Sequence, residues 1–116
     1  MNKFEKSNSI IHCFMGYKLS GNHCYILKKG IGFKLISSLK YHKDWNSLMK
    51  VVEKIESLNY RVTINFSNCF IETYTGNLKV DYGEIEIASS YGDNKLEVTY
   101  NAIIEFINHY NNLNKN

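Results

Sequence analysis

The alternation of hydrophobic and polar positions changes period several times along the chain, and each change marks a new element. In DWNSLMKVVEKIESL, residues 44 to 58, the apolar side chains Trp45, Leu48, Met49, Val52 and Ile55 recur at three- and four-residue intervals. The spacing predicts an amphipathic helix over about 44 to 58, with Asp44 placed to cap its first turn by accepting a backbone N–H bond. Lys50, Glu53, Lys54 and Glu56 fall on the other side, where lysine and glutamate three or four residues apart pair along a solvated surface.

After Asn59 the period drops to two. In RVTINFS, Val62, Ile64 and Phe66 alternate with Arg61, Thr63 and Asn65, the pattern of a half-buried strand. NCFIETYT, LKVDYG and EIEIAS follow around a Gly76-Asn77 turn, rich in β-branched and aromatic residues, and complete an antiparallel meander with one face covered. Helical spacing returns after Asp93 or Asn94, either of which can cap. Leu96, Tyr100, Ile103, Ile104, Ile107 and Tyr110 form the stripe, and a tail from about 112 to 116 is expected to fray. Upstream, NHCYIL and IGFKLI on either side of KKG suggest a hairpin, and a short helix around 7 to 15 fits the N-terminal segment. The expectation is a single α+β domain over residues 1 to 116. It would be a two-layer sandwich: an antiparallel sheet of about five strands with two main helices on one face, which hides both helix stripes.

Composition narrows the class. A chain of 116 residues can bury one core, and 44% hydrophobic with 22% charged residues lies near globular averages, which argues against disorder. No apolar run reaches the roughly 18 residues that span a bilayer, and the N-terminal apolar stretch is too short for a secretory signal. A cytoplasmic location without a membrane partner is therefore expected. Cys13, Cys24 and Cys69 are odd in number and lack C-x-x-C spacing, which suits free thiols. The net charge of +3 assists an anionic partner without requiring one. The absence of proline and the wealth of Asn, Lys, Ile and Tyr follow AT-rich codons, and so report on a genome and not on an activity.

The dipeptide His-Cys occurs twice, at His12-Cys13 and His23-Cys24. Zinc needs ligands that converge on one point, whereas neighbouring residues face opposite sides of a strand or diverge by about 100° on a helix. No metal and no cofactor are expected. No G-x-S-x-G or H-E-x-x-H frame surrounds the single acids and histidines, so the chain does not read as an enzyme. With neither a basic stripe nor a Gly-rich phosphate loop, nucleic acid is a weaker expectation than a small ligand. The nine tyrosines can stack on bases or pack sheet edges. The best candidate is KYHKDWN, where Tyr41, His42, Lys43 and Trp45 sit at a loop-to-helix junction whose unpaired N–H groups and dipole favour an anion. The competing reading has Tyr41 and Trp45 stapling the helix start to the sheet while Asp44 merely caps it.

FMGYK at 14 to 18, DWNSLMKVVEKIESL at 44 to 58 and NKLEVTYNAIIEFINHYN at 94 to 111 together resemble a group of small uncharacterised proteins of bacteriophages and prophages. The resemblance spans most of the chain but rests on core positions, and it transfers no active residue; residues 60 to 90 match no block of it. It implies a phage accessory protein acting by stoichiometric binding in the host cytoplasm, with counter-defence as one role. The partner would be a small anionic or nucleotide-type ligand, such as a nucleotide-derived signal held in a pocket, or a host protein, with self-association as a further form of the protein-binding reading.

Overall fold

In the computed structural model, which describes residues 2–20, 23–25, 33–74 and 84–113, the first helix begins at a reciprocal cap. Asn2 Oδ1 accepts the Glu5 N–H at 2.8 Å and Glu5 Oε1 accepts the Asn2 N–H at 3.2 Å, so two of the donors that a helix start leaves open are satisfied. Helix α1 then runs Lys3–Phe14, earlier and longer than the segment around 7 to 15 expected from the sequence. A second helix, α2 (Trp45–Ser57), starts at its Asp44 cap as expected and ends before Asn59, whose positive φ of 74° is a conformation asparagine tolerates better than most residues. A third, α3 (Lys95–Leu113), is capped by Asn94, whose Oδ1 accepts the Glu97 N–H at 3.0 Å. Asn112 and Leu113 belong to α3, and the rest of the tail lies outside the described residues.

The chain is α+β, but the described strands do not form the single sheet of about five strands. Strands β1 (Lys18–Ser20), β2 (His23–Tyr25) and β3 (Phe33–Leu35) make one antiparallel sheet. Strands β4 (Tyr60–Ile64), β5 (Asn68–Tyr74) and β6 (Glu84–Tyr91) make another, in sequence order. Period-two alternation marks a strand but not its partner, and here each strand pairs with its neighbour in the chain. The LKVDYG run and the Gly76-Asn77 turn lie outside the described residues.

The apolar core sits where α2 covers β4 and α3 covers β5 and β6. Ile71 lies opposite Val62 on one side and Ala88 on the other, so these three share one face of the sheet. Against that face pack Leu48, Val51 and Ile55 of α2 and Val98, Ile103, Phe106 and Ile107 of α3, all fully buried. Burial of each large apolar side chain contributes about 1.5–3 kcal/mol. Phe106 meets Tyr60 edge-on at 4.7 Å, approaches Phe14 at 6.1 Å and stacks on Tyr110 at 5.7 Å, which ties the C-terminal end of α1 into the same core.

Two aromatic residues of the expected stripes are not buried. Trp45 is 37% exposed. It is the first residue of α2, and Val51 is buried on the helix instead. Phe66 is 74% exposed because β4 stops at Ile64: Asn65 donates to Asn68 through both backbone and side chain, at 2.8 and 2.7 Å, and closes a turn with Phe66 at its tip. Among the described residues no helix is long and apolar enough to cross a membrane.

Candidate functional site

Helix α1 buries Asn8, Ser9, Ile11 and His12, a helical stripe in which only Ile11 is apolar. Buried polar groups need partners, and these supply the contacts that position α1. Asn8, 1% exposed, donates Nδ2 to the Leu39 carbonyl at 3.2 Å and lies 2.9 Å from Nδ1 of His42, while its Oδ1 accepts the Tyr100 hydroxyl at 2.9 Å. One amide thus joins α1, α3 and the segment before α2. Because an amide nitrogen only donates, His42 accepts at Nδ1, which assigns its proton to Nε2. Phe4 stacks on the His42 ring at 4.4 Å, and burial together with the neighbouring Lys43 holds this histidine below its ordinary pKa.

The end of α1 is set by a Schellman turn. Gly16 takes φ +102°, its N–H donates to the Cys13 carbonyl at 3.0 Å, and the Tyr17 N–H donates to the His12 carbonyl at 3.1 Å. In such turns the residue after the glycine packs on the residue five positions back, and here that contact is a ring stack: Tyr17 lies over His12 at 4.1 Å and 12°. His12 is 4% exposed, and its Nδ1 is 2.9 Å from the Tyr41 hydroxyl. Tyr41 is itself buried.

A 3-10 helix, Ile36–Ser38, leads into a turn in which the Lys43 and Asp44 N–H groups both donate to the Lys40 carbonyl, at 2.9 and 2.8 Å. Asp44 then accepts from the Ser47 N–H at 3.2 Å and from the Ser47 hydroxyl. The Ser47 hydroxyl is the main reason its carboxyl titrates below the usual carboxylate range, with Lys40 adding to the effect.

Between the end of α1 and the start of α2 these segments enclose a cleft of about 360 Å³. It is lined by His12, Met15 and Tyr17 at and just beyond the end of α1, by Ser38, Leu39, Lys40 and Tyr41 of the connecting segment, and by Asp44, Ser47 and Lys50 at the start of α2. That volume lies at the small end of the range for ligand pockets, about 300–1,000 Å³. The cleft presents two ammonium groups, Lys40 and Lys50, against one carboxylate that is already engaged as a helix cap. An anion with a flat apolar part fits this chemistry, the lysines supplying charge and the rings a stacking surface.

Of the four residues the sequence singled out, only Tyr41 lines this cleft. His42 is turned toward Phe4 and Asn8 of α1, and Lys43 and Trp45 are exposed without contributing to its walls. The Ser47 N–H in the first turn of α2, a donor an anion could have used, is taken by Asp44. Sequence reasoning passed over Tyr17, Lys40, Ser47 and Lys50, and considered His12 only as a metal ligand. Gly16 held the missing signal, since a glycine that ends a helix fixes what its successor packs against.

His12 and Cys13 diverge on α1: the histidine is buried, the cysteine exposed. His23 and Cys24 belong to β2, and their side chains lie outside the described residues. Among the described residues no three His, Cys, Asp or Glu side chains gather as a metal site would require. Cys69 is buried beneath α3, and burial pushes its thiol up to about 11, partly offset by a hydrogen bond with Thr99, so it stays protonated near neutrality. No protein-family model matches the chain, and no curated protein or solved structure matches it either.

Proposed function

We propose that the protein binds a small anionic, nucleotide-type ligand in the α1–α2 cleft, one ligand per chain and without turning it over. In a phage or prophage accessory protein, such binding would withdraw a nucleotide-derived signal from the host. The observation that carries this reading is the cleft of about 360 Å³ whose lining combines Lys40 and Lys50 with the ring of Tyr17. Lys43, outside the cleft, is dispensable on this reading. The test is calorimetric titration with a panel of linear and cyclic nucleotides against the wild type, Lys43→Ala and a Lys40→Ala/Lys50→Ala double variant. Saturable binding retained by Lys43→Ala and lost from the double variant is expected, with the nucleotide recovered unchanged. Binding unaffected in the double variant, or multiple-turnover product formation, contradicts it.

A protein-partner reading has one observation in its favour. Phe66 and Tyr91 are both strongly exposed, and Gly92 donates to the Ser67 carbonyl at 3.0 Å, so the two aromatic residues flank one end of the β4–β6 sheet. An apolar tip of this kind suits a host protein or a second copy of the chain. Light scattering and pull-down from infected cells, each compared with Phe66→Ser, separate this reading from the first.

A further inference from the structure

We infer that the ligand of the cleft carries a planar aromatic ring, which stacks on the face of Tyr17 turned away from His12, and a single phosphate placed between Lys40 and Lys50. The ligand class is a nucleoside monophosphate. This rests on the reading of the cleft as an anion site, and deepens it by naming what else the anion must carry.

Tyr17 is held through both its backbone and its ring. Its backbone is fixed by the turn at Gly16 and by the N–H bond to the His12 carbonyl, and its ring by the 4.1 Å stack on His12. His12 is anchored in turn by the Tyr41 hydroxyl at 2.9 Å. The result is a ring with one face covered, half-buried, and lining the cleft. A side chain already immobilised loses little further freedom when a base stacks on it, so more of the stacking energy appears as affinity. Tyr41 does not serve the same purpose, because it is buried with its hydroxyl turned to His12.

The charges come from other segments than Tyr17 does. Lys40 comes from the turn and Lys50 from the second turn of α2, while the capping bonds from Ser47 keep the Asp44 carboxylate on the helix end. A ring on Tyr17 and a phosphate at the lysines are what one base, one sugar and one phosphate present. A cleft of about 360 Å³ is near the lower limit of ligand pockets, about 300 Å³, which favours a mononucleotide over an oligonucleotide.

The experiment titrates the full chain with AMP, GMP, CMP and UMP, with ribose phosphate, and with adenosine. At least one monophosphate should bind about tenfold or more tightly than ribose phosphate, the margin expected of one stacked base. Tyr17→Leu should remove that margin without changing ribose phosphate binding, and Tyr17→Phe should keep it. Adenosine should bind more weakly than AMP. If monophosphates and ribose phosphate bind alike to the wild type, the aromatic inference is overturned while the anion site stands. If adenosine binds as well as AMP, or if no compound binds, the anion site itself fails. The wild-type comparisons decide the matter even where Tyr17→Leu does not fold.

Discussion

The two seams that hold the helices in place are built from different materials. Helix α2 meets the second sheet through Leu48, Val51, Val52 and Ile55, whereas α1 adds to the apolar contacts of Ile11 and Phe14 a buried polar set, Asn8, Ser9 and His12. Stabilisation by the first seam scales with buried area and is insensitive to direction. The second depends on a few hydrogen bonds whose geometry must be right, and each group left unpaired there costs more than the bond contributed. The apolar seam therefore supplies most of the stability. The polar seam sets the position of α1, and with it the wall of the cleft.

The largest effect is expected in the apolar seam. Phe106→Ala removes a fully buried ring that packs on Tyr60, Phe14 and Tyr110, and should lower unfolding free energy by about 3–5 kcal/mol in urea titrations. A loss much below that range would mean that this core is not the main source of stability. In the polar seam, Asn8→Ala removes a hydrogen-bond partner from the Tyr100 hydroxyl, the Leu39 carbonyl and the His42 ring at once, and should cost about 1–3 kcal/mol. Its effect should be concentrated in α1, seen as faster amide exchange there than in α3. Uniform acceleration across both helices would erase the distinction between the seams.

The contrast also explains what could be read from the sequence. Helices α2 and α3 and the strands β4, β5 and β6 were legible because their apolar residues recur with a helical period or are enriched as in strands. Helix α1 was only dimly visible because its buried stripe is polar, and its partners lie 31 and 92 residues away along the chain. Two local signs did mark its ends, Asn2 with Glu5 at the start and Gly16 at the finish. The division of the strands into two sheets was not legible, since pairing is a property of the folded chain and not of a strand's pattern. Of the KYHKDWN junction, Lys40, Tyr41 and Asp44 line the cleft, and His42 is turned into the polar seam, a division set by contacts with α1 that lie far away in sequence.

Gly16→Ala sharpens the comparison further. An added Cβ meets nothing within 4 Å, so the expected cost is that of the backbone conformation alone, about 1–2 kcal/mol. The same variant should loosen Tyr17 from His12 and weaken ligand binding. Unchanged stability and binding would show that this turn does not shape the site.

The smallest effect concerns pH. His42 accepts from Asn8 at Nδ1, is covered by Phe4 and Tyr100, and lies beside Lys43, all of which disfavour its protonation in the folded chain. Its folded pKa is therefore below the ordinary value of 6.5. The unfolded chain takes up the proton first as pH falls, so the contribution is fully present above about 6.5 and is lost as pH drops through the folded pKa. The protection factors of α1, which remove the intrinsic pH dependence of amide exchange, should fall over that window in the wild type and not in His42→Gln. Wild-type protection factors that stay flat with pH contradict the assigned tautomer.

The central claim is that α1 and the start of α2 together form a ligand site, and hydrogen exchange with and without a bound nucleoside monophosphate tests it most directly. A ligand held between the two segments binds the closed form and must slow opening at both. Added protection is expected in the last turn of α1 through Tyr17 and in residues 38–50, in excess of any change in β5. Protection confined to the Phe66 and Tyr91 end of the sheet, or none at saturating nucleotide, would contradict it.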